Sequence, residues 1–474
     1  MTYAQLTPHR CIAALLLLAI GIVLMVISQR RGWKPTLAVA LGVAVVLRVG
    51  VLVITYRVQP YDLANDFWAA GYATLHHRDP TLNNRPQGWA SLPTYTFVLA
   101  GAAWAAIHLH WSWVVVARIP ALLCDLGVVV VVGKLVQASG GSNDKAALRR
   151  FQYACNPVAI LISSEHGQLE PFCLLLAFSA FVLVMRGGPG ITARRAMAGG
   201  AVLGLAISGQ TWPVLFGPAL LAALPNWRRR LQAVAGAAVV GVVIFATMPF
   251  TVGTPVNKLP YMFEHLTSNQ PTIGTWGWAG VWVTQHQTAL PVWSDPLWVH
   301  VAEYGTKLAL LAALAAVFWW RKAHPLDMAT ATVTALIVVS PAFGNQYLQW
   351  PIPSGTARPT RLTLPAQIAA GVYAAIFYLP MNMLSGDWQR VDNIMMFASL
   401  GLCVLLIAAL PWGRRVWDRS APSEDETRSV PEPGTVVSDR ASDEAAPGPM
   451  VDDDLPDRVS DTAVPDCTSG PSTP

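Results

Sequence analysis

The sequence predicts an all-α fold: a polytopic integral membrane protein of about 11 to 13 transmembrane or re-entrant helices, followed by a disordered tail. Three observations predict it. Hydrophobic residues make up 53% of the 474-residue chain and charged residues only 12%, whereas an average soluble domain is about 25% charged. The charges cluster between apolar runs long enough to cross a hydrocarbon core of about 30 Å as helices. Those runs are uniformly apolar rather than alternating. This excludes barrel strands and leaves helices, whose backbone amides find their partners within the segment.

Apolar runs occupy 11–28, 36–56, 94–110, 114–136, 152–185, 197–225, 232–249, 299–319, 327–341, 364–380 and 394–411. The first lacks a small-residue cleavage site and is followed by Arg30, Arg31 and Lys34, so it reads as a retained helix rather than a signal peptide. Two runs are interrupted by polar residues, at Ser163-Ser164-Glu165-His166-Gly167-Gln168 and at Ser208-Gly209-Gln210-Thr211-Trp212-Pro213. Such breaks are tolerated where they line a wet cavity or a protein interior.

Arg30-Arg31-Lys34, Arg194-Arg195, Arg228-Arg229-Arg230, Arg321-Lys322 and Arg414-Arg415 read as cytoplasmic by the positive-inside rule. Loops 57–93 and 250–298 and the two polar breaks then face outside. Two stretches violate this parity. Crossings at both 94–110 and 114–136 would put Lys145, Arg149 and Arg150 outside, and a similar error arises between 341 and 394. A re-entrant segment near each would remove it.

From Ser420 onward there are 13 acidic and 3 basic residues among many Pro and Ser. Residues 1–419 therefore form the membrane domain, its basic loops suited to anionic lipid, and 420–474 an acidic disordered tail. The six cysteines form no CxxC or Cys/His ligand spacing, so neither a disulfide framework nor a zinc site is expected.

Three outside segments carry candidate chemistry. Asp62 and Asp66, four apart, share one helical face. A carboxylate at a membrane surface can act as general base on an acceptor hydroxyl, or serve only as a solvated loop charge. The break at Ser164–Pro171 gathers Glu165, His166, Gln168 and Glu170, which are costly to keep near lipid and favour a site. The third set comprises Glu264-His265, Trp276 within Gly274–Trp278, and Gln346, Tyr347 and Trp350. Aromatic rings at such positions build an interfacial belt, and they also suit the apolar face of a pyranose.

In order, these segments resemble the GT-C class of glycosyltransferases, and within it the actinobacterial polyprenyl-phosphate-mannose-dependent mannosyltransferases. The resemblance rests on four places: Phe67-Trp68-Ala69-Ala70-Gly71 with Arg78-Asp79-Pro80; Arg118-Ile119-Pro120 through Asp125; Asn156-Pro157 with His166-Gly167-Gln168; and Ser340-Pro341 through Gln346-Tyr347-Leu348-Gln349-Trp350. It implies a GT-C-like bundle in a bacterial cytoplasmic membrane, transferring a hexose with inversion on the outer side, from a polyprenyl-phosphate donor to a glycolipid or glycan. Asp62 or Asp66 would be the base, the spacing to the Phe67 run favouring Asp62. Arg78, Arg118, His166, Gln168, Glu170, Gln210, Glu264, His265, Trp276, Gln346, Tyr347 and Trp350 would meet substrate. No metal or other cofactor is obligatory, because Arg and His can stabilise a lipid monophosphate leaving group. Membrane lipid is an expected partner and nucleic acid is not. The chain departs from the family pattern in three places: Glu170 is the nearest carboxylate after His-Gly-Gln, Thr81 replaces a Tyr, and Gln210 stands where a Lys is usual. A transporter or flippase would share the broken helices but predicts an internal repeat, and an inactive relative would tolerate the departures.

Overall fold

The computed structural model describes residues 6–83, 89, 91–267, 276–285, 296–380, 388–414 and 416. Among them every regular element is helical. The chain divides into a unit of Met1–Arg428 and one of Ser429–Pro474; the tail expected at 420–474 lies outside the described residues. Among the described residues five helices are long and apolar enough to span a bilayer: Pro8–Arg31, Leu37–Thr55, Trp113–Ala138, Trp227–Thr251 and Leu297–Trp319. Shorter apolar helices at Glu170–Met185, Trp212–Ala222, Pro325–Val339, Thr363–Tyr378 and Ile394–Ala408 complete the bundle. The chain is therefore a multi-pass helical membrane protein.

Local chemistry sets the helix ends. Pro8–Arg31 stops at Gly32, whose left-handed φ of 59° lets Trp33 N–H reach the Ser28 carbonyl. Thr36, Ser142, Thr192 and Asn226 each accept a backbone N–H of the helix they precede. Asn156 caps Val158 and Ala159 ahead of Pro157, so the run 152–185 begins a new helix at that point. Helices Ala193–Gly209 and Trp227–Thr251 pack at glycine contacts. A Cβ on Gly204 would stand 2.7 Å from the Ala237 carbonyl oxygen, and one on Gly200 or Gly236 would collide with the backbone of Ala233 or Met197. In lipid, where apolar burial gives no drive for association, this close backbone approach is what holds helices together.

The bundle has two chemically distinct ends, and side-chain bonds show which loops share one. Lys34 pairs with Asp144, Arg149 donates to Gln29 at 2.8 Å, and Arg186 donates to Gln137 at 3.2 Å. Arg358 pairs with Asp327 at 3.2 Å, Arg414 approaches the same carboxylate at 3.6 Å, and Trp320 donates to the Pro411 carbonyl. These loops form a basic end.

Both parity errors are thereby resolved. Helix Thr94–His108, expected as a crossing, starts and finishes at the other end: Thr94 bonds Ser208 at 2.7 Å, while Trp113 donates to the Leu63 carbonyl at 2.8 Å. Its 15 residues span only about 22 Å at 1.5 Å per residue, and it packs on Trp68–Leu75 through Gly71. Lys145, Arg149 and Arg150 consequently join the other cations. The second error has a different cause. Residues 345–357, which lie between two of the apolar runs, make a broken return through Asn345–Gln349 and Ile352–Ala357, which brings Arg358 to Asp327.

Candidate active site

Two π-helical turns meet at the end opposite the arginines. The first, Leu63–Phe67, follows Asp62 and is anchored by the buried Leu63 and Phe67, the latter edge-on to Trp89 and Tyr95. The second, Ile162–His166, occupies the polar break. Ser163 turns its hydroxyl back to the Ala159 carbonyl at 2.7 Å, loosening the helix. Gly167, at φ 72°, then reverses the chain, with its N–H on the Ile162 carbonyl. A side chain there would be strained, and its Cβ would stand 2.6 Å from Arg118 Cγ. A new helix starts at Glu170-Pro171. Wide turns of this kind concentrate at functional sites because they free backbone and side chains from the regular ladder.

The turns bring together one carboxylate, one amide and one imidazole. Gln168 Nε2 donates to Asp62 Oδ2 at 2.6 Å and lies 2.7 Å from His166 Nε2, and His166 Nε2 is 3.6 Å from the same Asp62 oxygen. The Asp62 side chain keeps 38% of its surface exposed, and His166 packs its ring on Tyr378 at 4.9 Å. Burial pushes the Asp62 carboxyl up, but the neighbouring His166 imidazole, then the Gln168 amide, outweigh it and hold the group below the usual carboxylate range. Asp66 shifts the other way, raised by burial and by the Asp62 charge. The two aspartates are thus inequivalent. Asp62 stays ionised and keeps an open side.

Beneath this cluster Glu170 is fully buried. Trp212 and Trp350 stack face to face at 4.1 Å, and Tyr347 lies against Trp350 at 4.4 Å. Gln210 accepts the Trp212 indole N–H. Glu170 has both Gln210 and Trp350 as neighbours, so the two interrupted runs converge beside Trp350 and Tyr347.

Other expected site residues do different work. Arg118 is fully buried, donating to the carbonyls of Thr55 at 3.1 Å and Val58 at 2.8 Å. It holds the stretch of chain leading to Asp62. Trp276 is a core residue: its indole donates to Ile337 and one face is covered by Phe343 at 3.7 Å. Gln346 folds back over Gly344, whose missing Cβ makes the room. Glu264 stands exposed on Leu259–Thr267, a helix whose Met262 packs with Met248 and Val252, apart from the Leu63–Phe67 cluster. The side chain of His265 and residues Gly274 and Thr275 lie outside the described set. Arg78 is exposed beside Asp79, which caps Thr81 and Leu82 and accepts from Thr254, tying the first outer loop to the second.

Sequence reasoning missed Tyr378, hidden at the end of an apolar run, and a buried knot behind the site. There Arg48 Nε donates to Asp125 Oδ2 at 2.6 Å, while Tyr153 and Gln349 donate to Asp125 Oδ1 at 2.6 and 3.1 Å. An Arg in the middle of an apolar run was the available signal. Among the described residues no group of three or more His, Cys, Asp or Glu side chains is arranged to hold a metal ion.

The model of glycosyltransferase family 87 matches residues 86–341, just over half of the chain. The match includes His166, Gln168, Glu170 and Gln210, while Asp62, Tyr347 and Trp350 lie outside it. No curated protein matches the chain.

Proposed function

The chain belongs to glycosyltransferase family 87, and on that premise we propose that it moves a hexose, mannose, from a polyprenyl-phosphate donor to a glycolipid or cell-envelope glycan with inversion at the anomeric carbon. The observation that carries the reading is the Asp62–Gln168–His166 cluster at the end opposite the arginines. If those arginines face the cytoplasm, the cluster lies on the outer side of the bacterial cytoplasmic membrane.

In this reading the acceptor hydroxyl oxygen attacks the anomeric carbon as the bond from that carbon to the phosphate oxygen breaks. The hydroxyl proton goes to Asp62, and the polyprenyl phosphate leaves with the electron pair of the broken bond. Gln168 orients the carboxylate. His166, with Arg57 and Arg78 exposed on the loop that carries Asp62, would balance the phosphate charge. Tyr347 and Trp212 offer ring surface to the pyranose.

The test is transfer from polyprenyl-phosphate-mannose to membrane acceptors by the purified full chain in proteoliposomes, with the anomeric configuration of the product read by NMR. The reading expects a product inverted relative to the donor. A retained configuration would remove the single-displacement step, and absence of transfer from every lipid-phosphate sugar tried would remove the donor assignment.

A further inference from the structure

A second feature lies at the basic end, remote from Asp62. Asp327, 2% exposed, is shared by two guanidinium groups. Arg358 reaches both its oxygens at 3.2–3.3 Å, and Arg414 approaches at 3.6 Å while donating to the carbonyls of Arg358 and Pro359. One carboxylate between two cations leaves positive charge over. Arg358 and Arg414 keep 25% and 35% of their surface, and Arg361 is exposed three residues further on.

Directly adjoining these groups is a cavity of about 40 Å³ between Pro325–Val339, Ile352–Ala357, Thr363–Tyr378 and Ile394–Ala408, with a largely apolar wall. Its lining includes Thr363, Ala409 and Leu410, and Thr360 ties the arginine loop to the Ala409 carbonyl at 2.9 Å. Thr330, Pro351, Leu406 and Ala409 are only half-buried, so the cavity opens outward as a slot. Gly355 contributes to the opening: the nearest atoms to a Cβ there are on Thr330, Thr363 and Gln367, at 3.8–3.9 Å.

We propose that this slot and its arginine rim bind one anionic phospholipid, the phosphate over Arg361, Arg358 and Arg414 and the stretch of an acyl chain nearest the glycerol in the slot. An apolar slot inside a bilayer has hydrocarbon as its natural occupant. Surplus guanidinium charge at its mouth selects an anionic headgroup over a zwitterionic one, as basic pockets between membrane helices do. Arg supplies forked donors that match a phosphate.

Native mass spectrometry of the full chain in detergent, titrated with phosphatidylglycerol, phosphatidylcholine and soluble glycerophosphate, tests this. Phosphatidylglycerol should bind more tightly than phosphatidylcholine. Arg361→Gln, at an exposed site where the fold is not at stake, should weaken it about fivefold, the worth of one arginine near a phosphate surface, and weaken phosphatidylcholine, whose choline offsets its phosphate, by less. Gly355→Leu, which fills the slot, should weaken phosphatidylglycerol with Arg361 in place. Equal affinity for the two lipids, or no response to either variant, would overturn the site. Displacement of phosphatidylglycerol by equimolar glycerophosphate would overturn the slot's part in it.

Discussion

Two aspartates in this bundle stand in opposite circumstances. Asp125 is fully buried and fully used: Arg48 bonds one oxygen, Tyr153 and Gln349 the other. Asp62 takes one amide hydrogen bond from Gln168, has His166 at 3.6 Å, and keeps 38% of its surface exposed. A carboxylate whose lone pairs are spent on a buried cation has no capacity left for chemistry, and its worth lies in joining Leu37–Thr55, Arg118–Ala138, Asn143–Ala154 and the broken return at Gln349. A carboxylate held ionised by an amide and an imidazole, with an open side, is prepared to take a proton. The residue type is the same; the partners decide the role.

Variants that break this contrast should fail in different ways. Asp125→Ala leaves the Arg48 guanidinium buried without its partner, which should cost about 3–5 kcal/mol. It should appear as a large drop in the thermal midpoint in detergent, with activity lost only in proportion to the folded fraction. A lowered midpoint is the required sign; unaltered melting would mean that water already compensates Arg48. His166→Ala removes the imidazole 3.6 Å from the Asp62 carboxylate, and the loss of one such charged neighbour should slow sugar transfer about tenfold. It should also change the pH profile. With its folded pKa depressed, Asp62 contributes stability and base function above its unfolded value and loses both as pH falls through the lower folded value. Without His166 that folded value rises, so the acid limb of the pH–rate curve should move to higher pH. A limb that stays in place would detach His166 from Asp62. The smallest effect should come from Asp66→Asn. Asp66 is raised by burial and then by the Asp62 charge, while Asp62 is held by His166 and Gln168, so transfer rates should remain within about threefold of the parent.

The outer half of this contrast was legible in the sequence, and the Asp125 knot was not. Apolar runs, basic loops and the two polar breaks located the membrane legs and both tips of the site, because lipid imposes a strict pattern on composition. What was illegible depends on contacts between distant segments. Arg118 looked like a phosphate ligand because a buried guanidinium reads identically whether it meets a substrate or the carbonyls of Thr55 and Val58. Trp276 looked like a sugar platform because an aromatic beside glycines reads identically when Phe343 covers it. The half-sized helix Thr94–His108 and the broken return at 345–357 differ from spanning legs only in where they end, which hydropathy does not encode. Spacing favoured Asp62 over Asp66, and the bond from Gln168 distinguishes the two by partners.

The central claim is that Asp62 is the base of a sugar transfer, and Asp62→Asn tests it most directly. The variant keeps the size of the side chain while removing its ability to take a proton. In proteoliposomes with polyprenyl-phosphate-mannose, transfer should fall about 10²- to 10⁴-fold, the worth of a positioned general base, with the melting midpoint close to that of the parent. Transfer at the parental rate from a folded Asp62→Asn protein would contradict the account.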